Sequence, residues 1–196
     1  ALREKAERDA LTQLFNKVTT EQLISDAVSA NTEELSALLV LDLDNFKTIN
    51  DTYGHLYGDA VLTKVGATLK SLFREKDIIG RIGGDEFMVV MRGCTDAAYL
   101  EQYCQKLIQV FQTAFHSYGL TLTCSIGIAL SPSHAQSYHE LFQYADQALY
   151  YSKATGKNRY TIYDPEDSAH LNHSMGISMV SNLIDSDSEP GMANDN

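Results

Sequence analysis

The chain of 196 residues has no tryptophan, only three prolines and three cysteines, and no surplus of positive charge. Each shortage closes off a class of protein. Cys94, Cys104 and Cys124 are odd in number and free of CxxC spacing, so neither a disulfide framework nor a zinc site is indicated, and a reducing cytoplasm fits. No run approaches the roughly 18 apolar residues that span a bilayer, and the N-terminus lacks the charged-then-apolar layout of a secretory signal. With 15 Lys and Arg against 26 Asp and Glu, no basic stripe is available for a nucleic-acid polymer, whose binding is dominated by phosphate neutralisation.

The acidity is unevenly spread. Residues 164–196 hold seven acids and no Lys or Arg, so the other 19 acids face all 15 cations in residues 1–163, and the body carries only −4 of the net −11. A few placed cations and a metal ion suffice for a single nucleotide, so that class of ligand stays open. Hydrophobic residues make up 44% of the chain, enough for one well-packed domain. Three segments follow. Residues 1–8 read as the end of a truncated upstream helix, with Arg3/Glu7 and Glu4/Arg8 at i,i+4 spacing. Residues 9–163 form the domain, and 164–196 an acidic, flexible tail with one short helix near "ISMVSNLI".

Within the body, apolar spacing near 3.6 predicts a helix over residues 16–30, and "LSALLVLDLD" has the unbroken apolar run of a buried strand. "NFKTINDTYG" reads as a short helix ended by Gly54, and residues 59–73 as a second helix. "DIIGRI" and "EFMVVM" are strands joined at Gly83-Gly84, predicting a two-residue hairpin turn with positive φ. A helix over 96–115, a strand at "LTLTCSIGIAL", a helix over 138–154 and a short strand at "RYTIY" complete the order α-β-α-α-β-β-α-β-α-β. Hairpins mixed with helical crossovers imply an α+β domain: a mixed, mostly antiparallel sheet covered by helices.

The chemistry gathers at strand ends. Asp42 leaves the first strand as the chain turns outward, and Asp85 and Glu86 open the second hairpin strand. If those strands pair antiparallel, the three carboxylates converge at one lip of the sheet. Such a group, with no cation run beside it, raises its own pKa values unless something positive sits within it, and Mg²⁺ is the natural candidate. A pair of such ions serves phosphoryl or nucleotidyl transfer. A rigid strand explains why carboxylates border the core: it aims them.

"GGDEF" at 83–87, with "DLDNFKTINDTYGHLYGD" at 42–59, "DALTQLFNK" at 9–17, "SIGIA" at 125–129 and "ADQALYYSKATGKNRY" at 145–160, resembles the GGDEF family of diguanylate cyclases. These enzymes join two GTP molecules into cyclic di-GMP on a nucleotidyl-cyclase, palm-like fold. The resemblance implies two Mg²⁺ ions per site, with Mn²⁺ as an alternative, held by Asp42, the Leu43 carbonyl, Asp85 and Glu86. It makes Asp85 and Glu86 the catalytic pair, with Asp85 a candidate for deprotonating the attacking 3′-hydroxyl. Gly83 and Gly84 would let phosphate or ribose approach the backbone. Asn50 and Asp59 would grip guanine, with His55 near the base. Lys47, Lys153 and Lys157 would meet the phosphates; Lys153 and Lys157, four apart, share one helical face if the helix extends that far, and Lys157 stands where the family often has Arg. Arg74 and Asp77 match the family's RxxD inhibitory site for the product, although no second arginine comes from residues 93–118. Catalysis would need a homodimer, assembled by an upstream sensory domain, in the cytoplasm. The other reading is an inactive domain that senses cyclic di-GMP or GTP.

Overall fold

The computed structural model describes residues 6–30, 34–94, 96–115 and 119–165. The first five residues of the N-terminal helix end, most of the acidic tail and the short helix expected near 177–184 lie outside them. The elements are α1 (Lys17–Ser29), β1 (Ser36–Leu43), α2 (Phe46–Tyr53), α3 (His55–Leu72), β2 (Ile78–Arg81), β3 (Glu86–Met91), α4 (Ala97–Ala114), β4 (Cys124–Ser131), α5 (Tyr138–Ala154) and β5 (Tyr160–Ile162). The five strands form one sheet in the order β2-β3-β1-β4-β5, in which only β4–β5 is parallel. The α+β architecture and the order of elements agree with the sequence.

The central strand β1 is buried on both faces, which is why its sequence is an unbroken apolar run rather than an alternating one. Leu39 and Leu41 pack with Phe87 and Val89 beneath α2, α3 and α4, through Ile49, Val65 and Phe111. Leu38 and Val40 pack with Met88 and Val90 beneath α1 and α5, through Ile24 and Leu149. The sheet is thus the middle of three layers. Local signals set the helix ends. The Asn16 side chain accepts from the Thr19 amide to start α1, Asp96 from Tyr99 to start α4, and Ser137 exchanges hydrogen bonds with Glu140 to start α5.

Four expectations need correction. First, α3 begins at His55 rather than at Asp59. Gly54, at φ +86°, ends α2 and at once begins α3, its carbonyl accepting from Tyr57 and Gly58. Gly58 is needed inside the helix because a Cβ there would collide with the Asn50 side chain. Second, the β2–β3 connection covers residues 82–85 and neither Gly83 nor Gly84 has positive φ; the turn is closed by Ile82 and Gly83 amides donating to the Glu86 carbonyl at 3.0 and 3.4 Å. Third, β4 begins at Cys124, because β1 ends at its partner Leu43 and leaves residues 120–123 without a ladder. Fourth, Lys153 and Lys157 do not share a helical face, since α5 stops at Ala154.

Candidate active site

β1 and β3 pair antiparallel with Asp42 opposite Glu86. The Leu43 amide donates to the Asp85 carbonyl at 3.2 Å, so the backbones of all four expected metal-binding positions meet at one end of the sheet. The expected absence of a neighbouring cation is corrected here: α5 delivers Lys153, whose Nζ lies 2.8 Å from Asp42 Oδ2. Burial is the largest influence on Asp42 and pushes its carboxyl above the ordinary value; the Lys153 hydrogen bond and charge oppose it, and Asp85 and Asp44 add to it. Partial burial, then the charges of Asp42 and Asp85, also push Glu86 up, although Glu86 stands on the exposed side of the lip, where water screens the effect.

Among the described residues, no three His, Cys, Asp or Glu side chains close around one point as a cage. The donor set nonetheless suits a hard divalent cation. Its atoms are carboxylate and carbonyl oxygens, the donors that such an ion takes.

The remaining residues lie around this lip or far from it. Lys157 sits beyond α5 at φ +61°, its Nζ donating to Asn45 Oδ1 at 2.8 Å. Lys47 is 87% exposed and paired with Asp51 at 2.9 Å, one turn along α2. Asn50 lies on α2 with its Oδ1 buried and without a partner, against Gly58. His55 opens α3, and Asp59 is exposed one turn later. Gly84 has open space where a Cβ would project, while a Cβ on Gly83 would meet the Glu86 carboxylate.

Arg74 and Asp77 are at the opposite end of β3, since β2 begins at Ile78, paired with Val90. They do not pair with each other through side chains. Asp77 accepts from the Arg74 and Arg92 amides at 2.9 and 3.1 Å, and the Arg74 guanidinium bonds the Tyr99 hydroxyl and lies 5.2 Å from its ring centre. A cleft of about 390 Å³ beside them is lined by the cations Arg8, Lys70 and Arg74, the acids Glu75 and Asp77, and the rings of Phe15 and Phe73. Burial, then the Arg8 charge, pulls Lys70 below the ordinary lysine value.

Three groups escaped the sequence reading. Tyr99, from α4, holds Arg74. Arg81 donates to the carbonyls of Gly83 and Gly84 and pairs with Asp9 at 3.2 Å, joining the N-terminal segment to the signature turn. Asp44 is 6% exposed and receives bonds from Thr123, Ser125 and Asn158. Only the second acid in "DLD", on a strand exit, hinted at Asp44; Tyr99 and Arg81 carried no local signal.

Residues 6–159 match the family described as "Diguanylate cyclase, GGDEF domain". The chain is 39% identical over 158 residues to the diguanylate cyclase DgcS of Shewanella oneidensis, covering 79% of this chain and 52% of that protein. It is 34% identical over 168 residues to the cyclic di-GMP phosphodiesterase PdeR of Escherichia coli, covering 84% of this chain and 25% of that one. The chain therefore spans about half the length of the first and a quarter of the second. Its fold is similar to the GGDEF-only structure of TpbB, also called YfiN, from Pseudomonas aeruginosa, with TM-score 0.76, 31% identity, and 84% and 99% of the two chains covered. Matched by the family pattern over residues 6–159, most of its length, the chain belongs to the diguanylate cyclase GGDEF-domain family.

Proposed function

We propose that this domain condenses two GTP molecules into cyclic di-GMP and two pyrophosphates, working in the cytoplasm as a homodimer controlled by an upstream domain. The observation that carries the reading is the register of β1 on β3, which sets Asp42 opposite Glu86 with Asp85 bonded through its carbonyl to Leu43. Asp42, Asp85, Glu86 and the Leu43 carbonyl would hold Mg²⁺, or Mn²⁺, two ions per site, and such ions neutralise a triphosphate and acidify a hydroxyl beside it.

The chain's own groups do the rest. Asp85 accepts the proton of the 3′-hydroxyl; that oxygen bonds to the α-phosphorus of the facing GTP as the bond to pyrophosphate breaks, and the exchange occurs twice. Lys47, Lys153 and Lys157 meet the phosphates. Lys153 already binds a carboxylate, so an incoming phosphate has to draw it from Asp42. Asn50 and Asp59 select guanine, because a carboxylate accepts from N1–H and the 2-amino group, donors that adenine lacks. His55 lies near the base, and Gly83 and Gly84 let ribose and phosphate approach the turn. Cyclic di-GMP would bind in the cleft at Arg74 and Asp77, its phosphates offsetting the Arg8 and Lys70 charges.

The deciding experiment is incubation of the purified chain with GTP and Mg²⁺, followed by chromatography. Cyclic di-GMP should appear, and Asp85→Asn should abolish it while product binding persists. Turnover retained by that variant would refute the assignment of the acid. The Asp42–Lys153 pair favours one second reading, a domain in which lysine has replaced the metal and which only senses nucleotide. Bound cyclic di-GMP without synthesis, even at high protein concentration, would establish it. Arg74→Ala should relieve inhibition by added product roughly tenfold in half-inhibiting concentration, the loss expected for one charged hydrogen-bonding group.

A further inference from the structure

We propose that Asp44 is a positioning residue: its buried carboxylate clamps the turn Gly156–Asn158 to the exit of β1 and so places the Lys157 ammonium at the rim of the active site. The inference rests on the reading of Lys157 as a phosphate contact.

A carboxylate 6% exposed is tolerated only when its oxygens are satisfied. Asp44 Oδ1 accepts from Ser125 Oγ at 2.7 Å, and Oδ2 accepts from Thr123 Oγ1 at 2.7 Å and from the Asn158 amide at 3.0 Å. Its own amide donates to the Thr123 carbonyl at 2.9 Å. Two of these bonds fix the side chain to the strand beside it. The third reaches across 114 residues to the turn after α5. With three hydrogen bonds on its two oxygens, Asp44 differs from Asp42, two residues earlier, whose carboxylate faces Lys153 at the lip.

The turn needs such an anchor. Gly156, Lys157 and Asn158 have φ of +123°, +61° and +51°, and the last two are side-chain-bearing residues in the left-handed region that such residues avoid. Conformations of this kind persist where their surroundings over-determine them. From the helix side the Lys157 amide donates to the Ser152 carbonyl at 2.9 Å. From the strand side the Asp44 bond holds the Asn158 amide, beside the bond from the Ile126 amide of β4 to the Arg159 carbonyl at 2.9 Å. The Asn158 side-chain Oδ1 takes no part, being buried without a partner. Beyond the turn, Lys157 Nζ donates to Asn45 Oδ1 at 2.8 Å, and Asn45 follows Asp44 directly, itself at φ +58°. Backbone and side chain of Lys157 are therefore both registered against residues 44 and 45.

The test is the affinity of the full chain for the β,γ-imido analogue of GTP, measured by calorimetry for the wild type, Asp44→Asn, Lys157→Met and the double variant. Asp44→Asn should weaken binding about tenfold, Lys157→Met by a similar factor, and the double variant no more than either alone, the coupling expected of residues acting as one unit. A merely structural brace would lower the melting temperature and leave the two effects additive. Unchanged affinity for Asp44→Asn, or additive losses, overturns the clamp even if Lys157→Met binds weakly. No loss for Lys157→Met overturns both the clamp and the phosphate reading beneath it. Should Asp44→Asn fail to fold, Thr123→Val removes a donor from the same oxygen and should weaken binding about threefold, but only when Lys157 is present.

Discussion

At the scale of single residues, the signature turn is held from outside itself. Arg81 is 15% exposed at its side chain and spends its guanidinium on the Gly83 and Gly84 carbonyls and on Asp9. Burial would by itself raise the Asp9 carboxyl, but hydrogen bonds from Thr12 and the charge and hydrogen bond of Arg81 together hold it below its ordinary value of 3.8. A carboxyl lowered in the folded state adds stability that is present above pH 3.8 and is lost as pH falls through the folded value. Asp9→Asn should thus melt below the wild type at pH 7, and the gap should close as the pH is taken below about 4. A gap that stays constant from pH 7 to pH 3 would show that the Asp9 charge does nothing. Arg81→Met should destabilise the fold by about 1–2 kcal/mol, from unpaired carbonyls and a lost partner for Asp9, and should lower kcat by loosening the turn. Denaturant melts and steady-state rates on the same protein separate the two effects.

At the scale of elements, the place where helix meets sheet is Gly127. A Cβ at this position would run into the carbonyl oxygen of Ala145 and the amide nitrogen of Leu149, both backbone atoms of α5 that have nowhere to go. Gly127→Ala should therefore cost about 2–3 kcal/mol, as an overpacked core does, and because α5 carries Lys153 onto Asp42, activity should fall along with stability. Lost stability with activity retained would show that α5 does not position the lysine. The same element explains what could be read beforehand. Apolar period and capping residues located α1, β1, α4 and α5 within a residue or so, because each signal acts within one or two turns of chain. The start of α3 was misplaced because Gly58 answers to Asn50 on another helix. The diglycine turn was misassigned because Arg81 and Glu86, rather than positive φ, shape it. The carboxylate lip was legible since strand ends and antiparallel pairing sufficed to predict it. Lys153 on Asp42, Tyr99 beneath Arg74 and Asn158 on Asp44 were not, because each joins residues tens of positions apart with no periodic trace.

At the scale of the whole molecule, the proposed reaction has each lip present one nucleotide, so joining two GTP molecules would require two copies to meet. Copies that each carry a net −11, with −4 on the body, repel one another. That repulsion is long-ranged in dilute salt, where the Debye length is about 30 Å at 0.01 M, and short-ranged at 0.1 M, where it is about 10 Å. Two consequences can be measured together. At saturating GTP and Mg²⁺ and low protein, the initial rate of cyclic di-GMP formation should rise with the square of protein concentration. Raising the salt from 0.01 to 0.1 M should increase that rate, because screening favours encounter more than it weakens already saturated phosphate contacts. A rate strictly proportional to protein concentration would mean that a single domain completes both bonds or that the dimer is preformed. Dilution then decides: a preformed dimer loses specific activity below its dissociation constant, and a self-sufficient domain never does.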